Sequence, residues 1–244
     1  MKQAALNLDL HCKKTRKREF LEQMEQVVPW AELVSLIAPY YPEGRNGRPP
    51  FALESMLRIH FIQQWFSLSD PAMEEAFFDT PLLREFARLQ EFERLPDEST
   101  ILRFRHRLDK HHLAEQILAT VNALLSQRGL LHGQEGEAFG DAGYQGIEKR
   151  PDARPAVDWH IAMRPGKRRA LDKNEEAGAL IDQAEKQKAS VRAKVEHPFR
   201  VLKRQFGFMK VRYRGLMKNT AQLITLFALS NLWMVRGKLM AAQA

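Results

Sequence analysis

The chain has 244 residues, 44% hydrophobic and 28% charged, a composition that fits one large globular domain or two small ones. Cys12 is its single cysteine, so an intrachain disulfide and a cysteine-based zinc cluster are both excluded. The net charge is +8, and the longest apolar stretch, residues 223–235, is broken by Thr225, Ser230 and Asn231. We therefore expect a cytoplasmic protein without a secretion signal or a membrane span.

Three clusters of cations carry the positive charge, at residues 13–18, 164–173 and 200–218. The third cluster contains seven cations and no acidic residue, so it nearly accounts for the net charge by itself. Grouped cations bind phosphate backbones, although a single cluster is as often a solvated surface. The DNA contacts predicted in the first and third clusters are Lys13, Lys14, Arg200, Arg204, Lys210, Arg212 and Arg214.

Residues 20–130 have apolar side chains at helical spacings, interrupted by prolines, and are predicted to be all helical. A rigid basic connector, residues 40–50, contains prolines and glycines that disfavour helix, and its Arg45 and Arg48 are predicted DNA contacts. Asp70 is predicted to cap the helix that follows it. The helices predicted after the connector are 53–66, 71–78, 81–89, 99–110 and 113–127.

The helix that begins near Ser99 is the best candidate for reading DNA. Its apolar residues fall on one face, whereas Arg103 and Arg107 project from another. With the short helix at 71–78, it suggests a helix-turn-helix-like arrangement whose arginines meet guanine edges or phosphates. The alternative is a bundle helix with a charged outer face.

The character of the sequence changes after Gly129. Residues 137–141 form a predicted short strand that ends at Asp141, residues 159–163 form a second one, and residues 174–205 and about 219–240 are predicted helices. The expected fold class is α-rich, mainly α with a small α/β part. A helical DNA-binding domain is expected at residues 1–131, and a second domain at residues 132–244.

Asp141 is the first candidate catalytic residue. Gly143 and Gly146 follow it and let the backbone turn sharply, which leaves the carboxylate open to solvent. Such a carboxylate suits Mg²⁺, a hard cation that takes one or two carboxylates and keeps several waters. A purely structural turn is the competing interpretation.

Arg192, Glu196 and Lys203 form the second candidate group. At 100° per residue they fall within about 40° of one another around a helix. A carboxylate flanked by cations can hold a divalent metal while the cations grip phosphates, but an ordinary ladder of salt bridges has the same spacing. Pro198 is expected to kink this helix or to start a new one after Glu196.

Together these segments resemble the DDE transposases of bacterial insertion sequences, in particular the group named after insertion sequence five. Residues 40–50 are similar to part of that family's helical DNA-binding region, residues 140–146 (GDAGYQG) to its second catalytic block, and residues 195–208 to its third. The resemblance implies an RNase H-like domain, Mg²⁺ held by Asp141 and Glu196, and catalysis by these two residues with Arg192 and Lys203. It implies binding to double-stranded DNA at terminal inverted repeats, by a homo-oligomer or a hetero-oligomer with full-length relatives.

The sequence departs from that family at one place. Members have a first catalytic aspartate on an early strand, whereas here residues 125–131 run almost directly into the second block, which resembles an internal deletion. The upstream aspartates Asp70, Asp79, Asp97 and Asp109 lie at helix caps, in turns or within helices, and none follows a strand-like run. We therefore expect a shortened transposase that binds DNA and has impaired or absent cleavage. Two alternatives are an active enzyme whose missing carboxylate comes from a partner, and a non-enzymatic repressor of transposition.

Overall fold

The computed structural model describes residues 14–44, 48–89, 94–130, 136–150 and 157–242. It is 70% helix and 4% strand, which confirms the prediction of an α-rich protein. None of the helices in these ranges is both long enough and apolar enough to cross a membrane. The helices and strands in chain order are α1 (Arg16–Val27), α2 (Trp30–Ile37), α3 (Leu53–Phe66), α4 (Asp70–Asp79), α5 (Pro81–Phe86), α6 (Glu98–Lys110), α7 (Leu113–Gln127), β1 (Glu137–Gly140), β2 (Asp158–Ile161), α8 (Pro165–Arg169), α9 (Glu176–Arg200) and α10 (Leu216–Ala241).

Most predicted elements are confirmed, because their signals are local in the sequence. Helices α3 and α7 begin and end at the predicted residues, and both predicted strands form. The described chain divides into two compact units. The first comprises the described residues of 1–63, 68–111 and 232–244, and the second those of 64–67 and 112–231.

The first unit has a helical core that includes the wholly buried side chains of Leu33, Ile37 and Phe77. The end of α10 is held in this unit by Trp233, whose ring lies 4.8 Å from that of Phe20. The Arg236 guanidinium lies 3.5 Å from the centre of the Trp233 ring. The first unit is therefore built from both ends of the described chain.

A buried guanidinium joins three segments of the first unit. The Arg58 side chain on α3 is only 1% exposed and donates to both carboxylate oxygens of Glu25, at 2.5 and 2.8 Å. It also donates to Glu54 Oε1 and lies 4.1 Å from the centre of the Trp30 ring. Burial favours a raised pKa for Glu25, but the hydrogen bonds and charge of Arg58, aided by Arg88, lower that pKa below its ordinary value.

Asp70 has a different role from the one predicted. The N-cap of α4 is Ser69, whose hydroxyl accepts from Ala72 N, and Asp70 is the first helical residue. The Asp70 carboxylate instead forms a largely buried ion pair with Arg105 of α6 at 2.7 Å and accepts from Gln63 at 2.9 Å. The prediction that Asp70 caps the helix was therefore wrong, because an ion pair across the core satisfies this carboxylate better than a local backbone donor.

Buried His60 should make the protein less stable in mild acid. Burial, then the nearby Arg105 charge, lowers the pKa of His60 from 6.5 to about 4. Between pH 6.5 and pH 4, His60 is therefore protonated in the unfolded chain and neutral in the folded chain. The free energy of unfolding falls as the pH falls through this window. Denaturant titrations at pH 7 and pH 5 should differ by about 2 kcal/mol from this residue alone.

The matched variants for this prediction are His60→Leu and His106→Leu. His60→Leu removes the titrating group and should remove most of the loss between pH 7 and pH 5. His106 is exposed on α6, so its replacement should leave the pH dependence as in the natural chain. An unchanged pH dependence in His60→Leu would assign the acid sensitivity to other groups.

The second unit contains a parallel pair of strands. Register pairs Glu137 with Asp158 and Gly140 with Ile161, and within the described ranges β1 and β2 pair only with each other. Helix α9 lies against this pair, where Glu185 accepts from Met163 N at 2.8 Å and Lys188 donates to Ile161 O at 3.2 Å. The two outer edges of the pair have no strand partner in the described chain.

Helix α9 does not break at Pro198. It stays α-helical to Arg200 and then widens into a π-helical turn, Val201–Gln205. The buried side chains of Leu202 and Phe206 anchor this turn. In this described segment, no new α-helix starts directly after Glu196. A π turn has more residues per turn than the 3.6 of an α-helix, so the helical pitch changes in the turn that carries Lys203.

Candidate nucleic-acid interface

Four arginines converge on one groove of the first unit. The groove has a volume of about 340 Å³, and Arg48, Arg94, Arg103 and Arg107 line it together with residues 41–42 and 49–51, Met56, Thr100 and Phe104. Among these lining residues none is acidic. We call this feature the arginine groove. Four cations around one concavity repel one another unless an anion lies between them, so the groove is suited to a phosphate-bearing ligand.

The arginine groove forms because the connector folds back on α6. The Tyr41 hydroxyl donates to Phe51 O at 2.7 Å and so closes the connector into a loop. On the α6 side, Arg107 donates to Tyr40 O at 3.3 Å and its guanidinium lies 5.9 Å from the Tyr41 ring centre. Burial raises the pKa of Tyr41, and the Arg107 charge opposes that rise. The sequence separates these groups by more than fifty residues, and only folding brings them together.

The amphipathic prediction for α6 is confirmed. Ile101, Phe104 and Leu108 are buried, whereas Arg103 is exposed and donates to Ser99 Oγ at 3.3 Å. Asp97 caps this helix by accepting from Thr100 N at 2.7 Å. The exposed face of α6 therefore presents Arg103 and Arg107 to the groove.

The sequence did not single out Arg94. Its guanidinium lies 4.4 Å from the centre of the Phe51 ring, where it covers the aromatic face at one side of the arginine groove. In the sequence, only the position of Arg94 shortly before Asp97, the N-cap of α6, could have indicated that this arginine lies near the DNA-reading helix. Two predicted DNA contacts, Arg45 and Lys13, lie outside the described residues, and Lys14 is exposed and pairs with Glu22 at 3.0 Å.

Asp141 lies where the sequence predicted, directly after β1. Its Oδ1 accepts from Gly143 N at 2.8 Å, and the carboxylate is exposed. Gly146 has φ +83°, a left-handed conformation that suits glycine. Gly140 is closely packed, because a Cβ there would lie 2.6 Å from Ile161 Cδ1 and 3.1 Å from Tyr144 Cβ, so these side chains would have to shift. The turn therefore displays one carboxylate at the C-terminal end of a strand.

The other predicted catalytic residues lie on α9 and its π turn. Arg192 is half-buried on α9 and Lys203 is exposed on the π turn. The backbone of Glu196 lies in α9, but its side chain is outside the described residues. The narrow shared face was predicted for a uniform α-helix, so the π turn changes the angle at which Lys203 projects relative to Arg192.

The cation cluster at residues 200–218 is largely exposed. Arg200, Arg204, Lys210 and Arg214 are exposed, whereas Arg212 is half-buried and donates to Ser67 Oγ. The cluster at residues 164–173 is partly neutralised, because Asp182 accepts from Arg168 at 2.8 Å and lies near Lys173 at 3.5 Å. Hydrogen bonding from Arg168, then Lys186, lowers the pKa of Asp182 to about 2. The cluster at residues 200–218 is therefore the stronger candidate for contacts with phosphate.

Comparison with known families gives two matches that together span most of the chain. Residues 96–232, more than half of the chain, match the family described as Transposase DDE domain. The chain belongs to this family. Residues 8–107 match the family described as Transposase domain (DUF772), and this range includes every described residue that lines the arginine groove. No solved structure matches the chain.

Membership of the DDE transposase family implies DNA as a partner and a divalent metal ion in the reaction. Asp141 fits such an ion as a single ligand, because Oδ1 is used by Gly143 and Oδ2 is left for a hydrated cation. Among the described side chains, no three His, Cys, Asp or Glu residues come together. The two-ion arrangement that clamps both oxygens of an in-line displacement is thus not assembled from the described part of the chain.

Proposed function

We propose that this protein is a shortened transposase of the insertion sequence five group, which binds the ends of its element without cutting them. The observation that carries the proposal is the convergence of four arginines on a groove whose described lining residues include no acidic side chain. In a family that acts on DNA, such a groove supplies binding to the phosphate backbone and a route to base edges.

The proposed loss of cleavage rests on the missing first aspartate. Helix α7 ends at Gln127 and β1 begins at Glu137, and Asp141, which we assign to the second catalytic block, follows β1 directly. An internal deletion at this point would account for a sheet of two strands in the described ranges, because the first aspartate belongs to the early strands of an RNase H-like domain. In this proposal, residues 1–131 remain the DNA-binding domain and residues 132–244 the remnant of the catalytic domain.

Arg103 and Arg107 should contribute to recognition of a particular sequence. Replacement of either by alanine should weaken binding to the element's own terminal repeats by about 1–3 kcal/mol, and binding to unrelated DNA by less. Arg103→Lys is the matched control for charge, because lysine keeps the cation but loses the planar fork that pairs with guanine. The measurement is fluorescence anisotropy on matched and scrambled duplexes over a range of salt concentrations.

Substitutions of exposed cations at residues 200–218 should act differently. Arg204→Ala and Lys210→Ala should weaken binding to all duplexes alike. They should also reduce the salt slope, which is the slope of the logarithm of the binding constant against the logarithm of the salt concentration, by about 0.9 for each phosphate that the variant no longer binds. Equal losses on every sequence from both sets of variants would contradict this division of labour. Unchanged affinity in all of them would reject DNA binding through these surfaces.

A further inference from the structure

A loop in the second unit exposes large apolar side chains beside cations. We call residues 207–217 the apolar-basic loop; it consists of the segment that follows the π turn and the first two residues of α10. Met209 is 78% exposed and Leu216 is 84% exposed. Val211 and Met217 are also exposed, at 62% and 60%. Such a concentration of exposed apolar side chains marks an interaction surface.

The backbone of the apolar-basic loop is held at both ends. At its start, Phe208 N donates to Leu202 O at 2.9 Å, and in its middle the Arg212 side chain donates to Ser67 Oγ. At its end, the Asn219 side-chain amide donates to Tyr213 O at 2.6 Å and to Gly215 O at 2.8 Å. These bonds fix the loop, so its exposed apolar side chains are presented from a defined backbone.

The charge around these side chains indicates the chemistry of the partner. Lys210 and Arg214 are exposed within the loop, and residues 200–218 contain no acidic residue. A second copy docked through a two-fold axis would bring the same cations face to face, which disfavours that occupant. A ligand with an anionic exterior and an apolar interior satisfies both kinds of side chain, and duplex DNA has phosphates outside and stacked bases inside.

We propose that the apolar-basic loop is a wedge that distorts duplex DNA, with Met209 and Leu216 entering between base pairs while Lys210 and Arg214 bind the flanking phosphates. Apolar side chains inserted in this way unstack a base step and kink the duplex. The inference rests on the proposed function, because it assigns a mode of binding to a protein proposed to bind DNA.

The test uses the full chain and duplexes that carry 2-aminopurine, whose fluorescence rises when its base is unstacked, and a pair of end dyes that report bending by energy transfer. The apolar variant is Met209→Ala with Leu216→Ala, and the matched cationic variant is Lys210→Ala with Arg214→Ala. All four positions are exposed, so neither pair of substitutions should change the unfolding transition.

The natural chain should bind a duplex with a mismatched step at least about tenfold more tightly than the fully paired duplex, because unstacking costs less there. The apolar variant should lose this preference, the 2-aminopurine signal and the bend, yet keep the salt slope. The cationic variant should reduce the salt slope by about 1.8, because two phosphates are no longer bound.

A natural chain that binds the duplex without bending or unstacking it would overturn the wedge. An apolar variant that still bends and unstacks DNA as the natural chain does would overturn it too. If that variant instead loses self-association in sedimentation, or loses binding to phosphatidylserine vesicles, the surface binds a second copy or a membrane and not DNA. If the natural chain does not bind any duplex, the proposed function fails as well. If Arg103→Ala weakens DNA binding while the apolar variant bends DNA normally, the wedge is rejected and the proposed DNA-binding function stands.

Discussion

Purified protein mixed with its own terminal repeats and Mg²⁺ is expected to bind the DNA and to leave both strands intact. Strand cleavage by two metal ions needs a carboxylate that bridges them, and Asp141 is the one carboxylate of the proposed site that the described residues display. Loss of an outer-shell partner of a metal costs roughly 10–100-fold, so loss of a bridging ligand should cost far more. Denaturing gels of end-labelled duplex, run beside a gel-shift assay of the same samples, measure both activities.

Asp141→Ala is the control that separates the possible outcomes. It should leave the gel shift unchanged, because Asp141 belongs neither to the arginine groove nor to the cation cluster at residues 200–218. Mg²⁺-dependent nicking that disappears in Asp141→Ala would contradict the proposal and would mean that a partner chain or an unexpected side chain supplies the missing carboxylate. Binding without nicking would also make the protein a competitor for ends that a full-length relative uses.

Arg58→Met should lower the free energy of unfolding by about 3 kcal/mol, near the lower end of the cost of breaking a buried ion pair. The substitution removes a guanidinium that is 1% exposed and leaves Glu25 and Glu54 without their buried partner. Both glutamates stay partly exposed, and Arg88 still pairs with them, so water and a second cation moderate the loss. Denaturant unfolding followed by circular dichroism and by tryptophan fluorescence measures it.

Two further variants make this prediction specific. Arg58→Met combined with Glu25→Gln and Glu54→Gln removes the stranded charges and should recover part of the lost stability. Arg18→Met removes an arginine whose ion pair with Glu85 is exposed, so it should cost less than about 1 kcal/mol. If Arg18→Met and Arg58→Met destabilise the protein equally, burial of the guanidinium has no energetic role.

The helical half could be predicted from the sequence because its signals are short in range. Apolar spacing and the prolines fixed α3 and α7 to the residue, and they placed Ile101, Phe104 and Leu108 on the buried face of α6. The short strand before Asp141 was predictable for the same reason, since the short run at residues 137–140 lies between glycines that mark a turn on each side.

Interactions between distant segments could not be predicted in this way. In the sequence, nothing distinguishes Arg105 from the other arginines of α6, yet its side chain is buried and forms an ion pair with Asp70, thirty-five residues away. Asp70 was therefore assigned to a cap, although its partner lies on another helix. The π turn after α9 was also missed, because the choice between an α and a π turn depends on how Leu202 and Phe206 pack and not on residue type alone.

The sequence by itself determined that this is a basic, mostly helical member of a DNA transposase family, with a strand-end aspartate and a cation-rich segment at residues 200–218. Only the tertiary structure decided that Arg48, Arg94, Arg103 and Arg107 share one groove. The physical reason is that local pattern fixes which face of a helix is buried, whereas the convergence of charges depends on how the connector closes between Tyr41 and Phe51 and packs against α6.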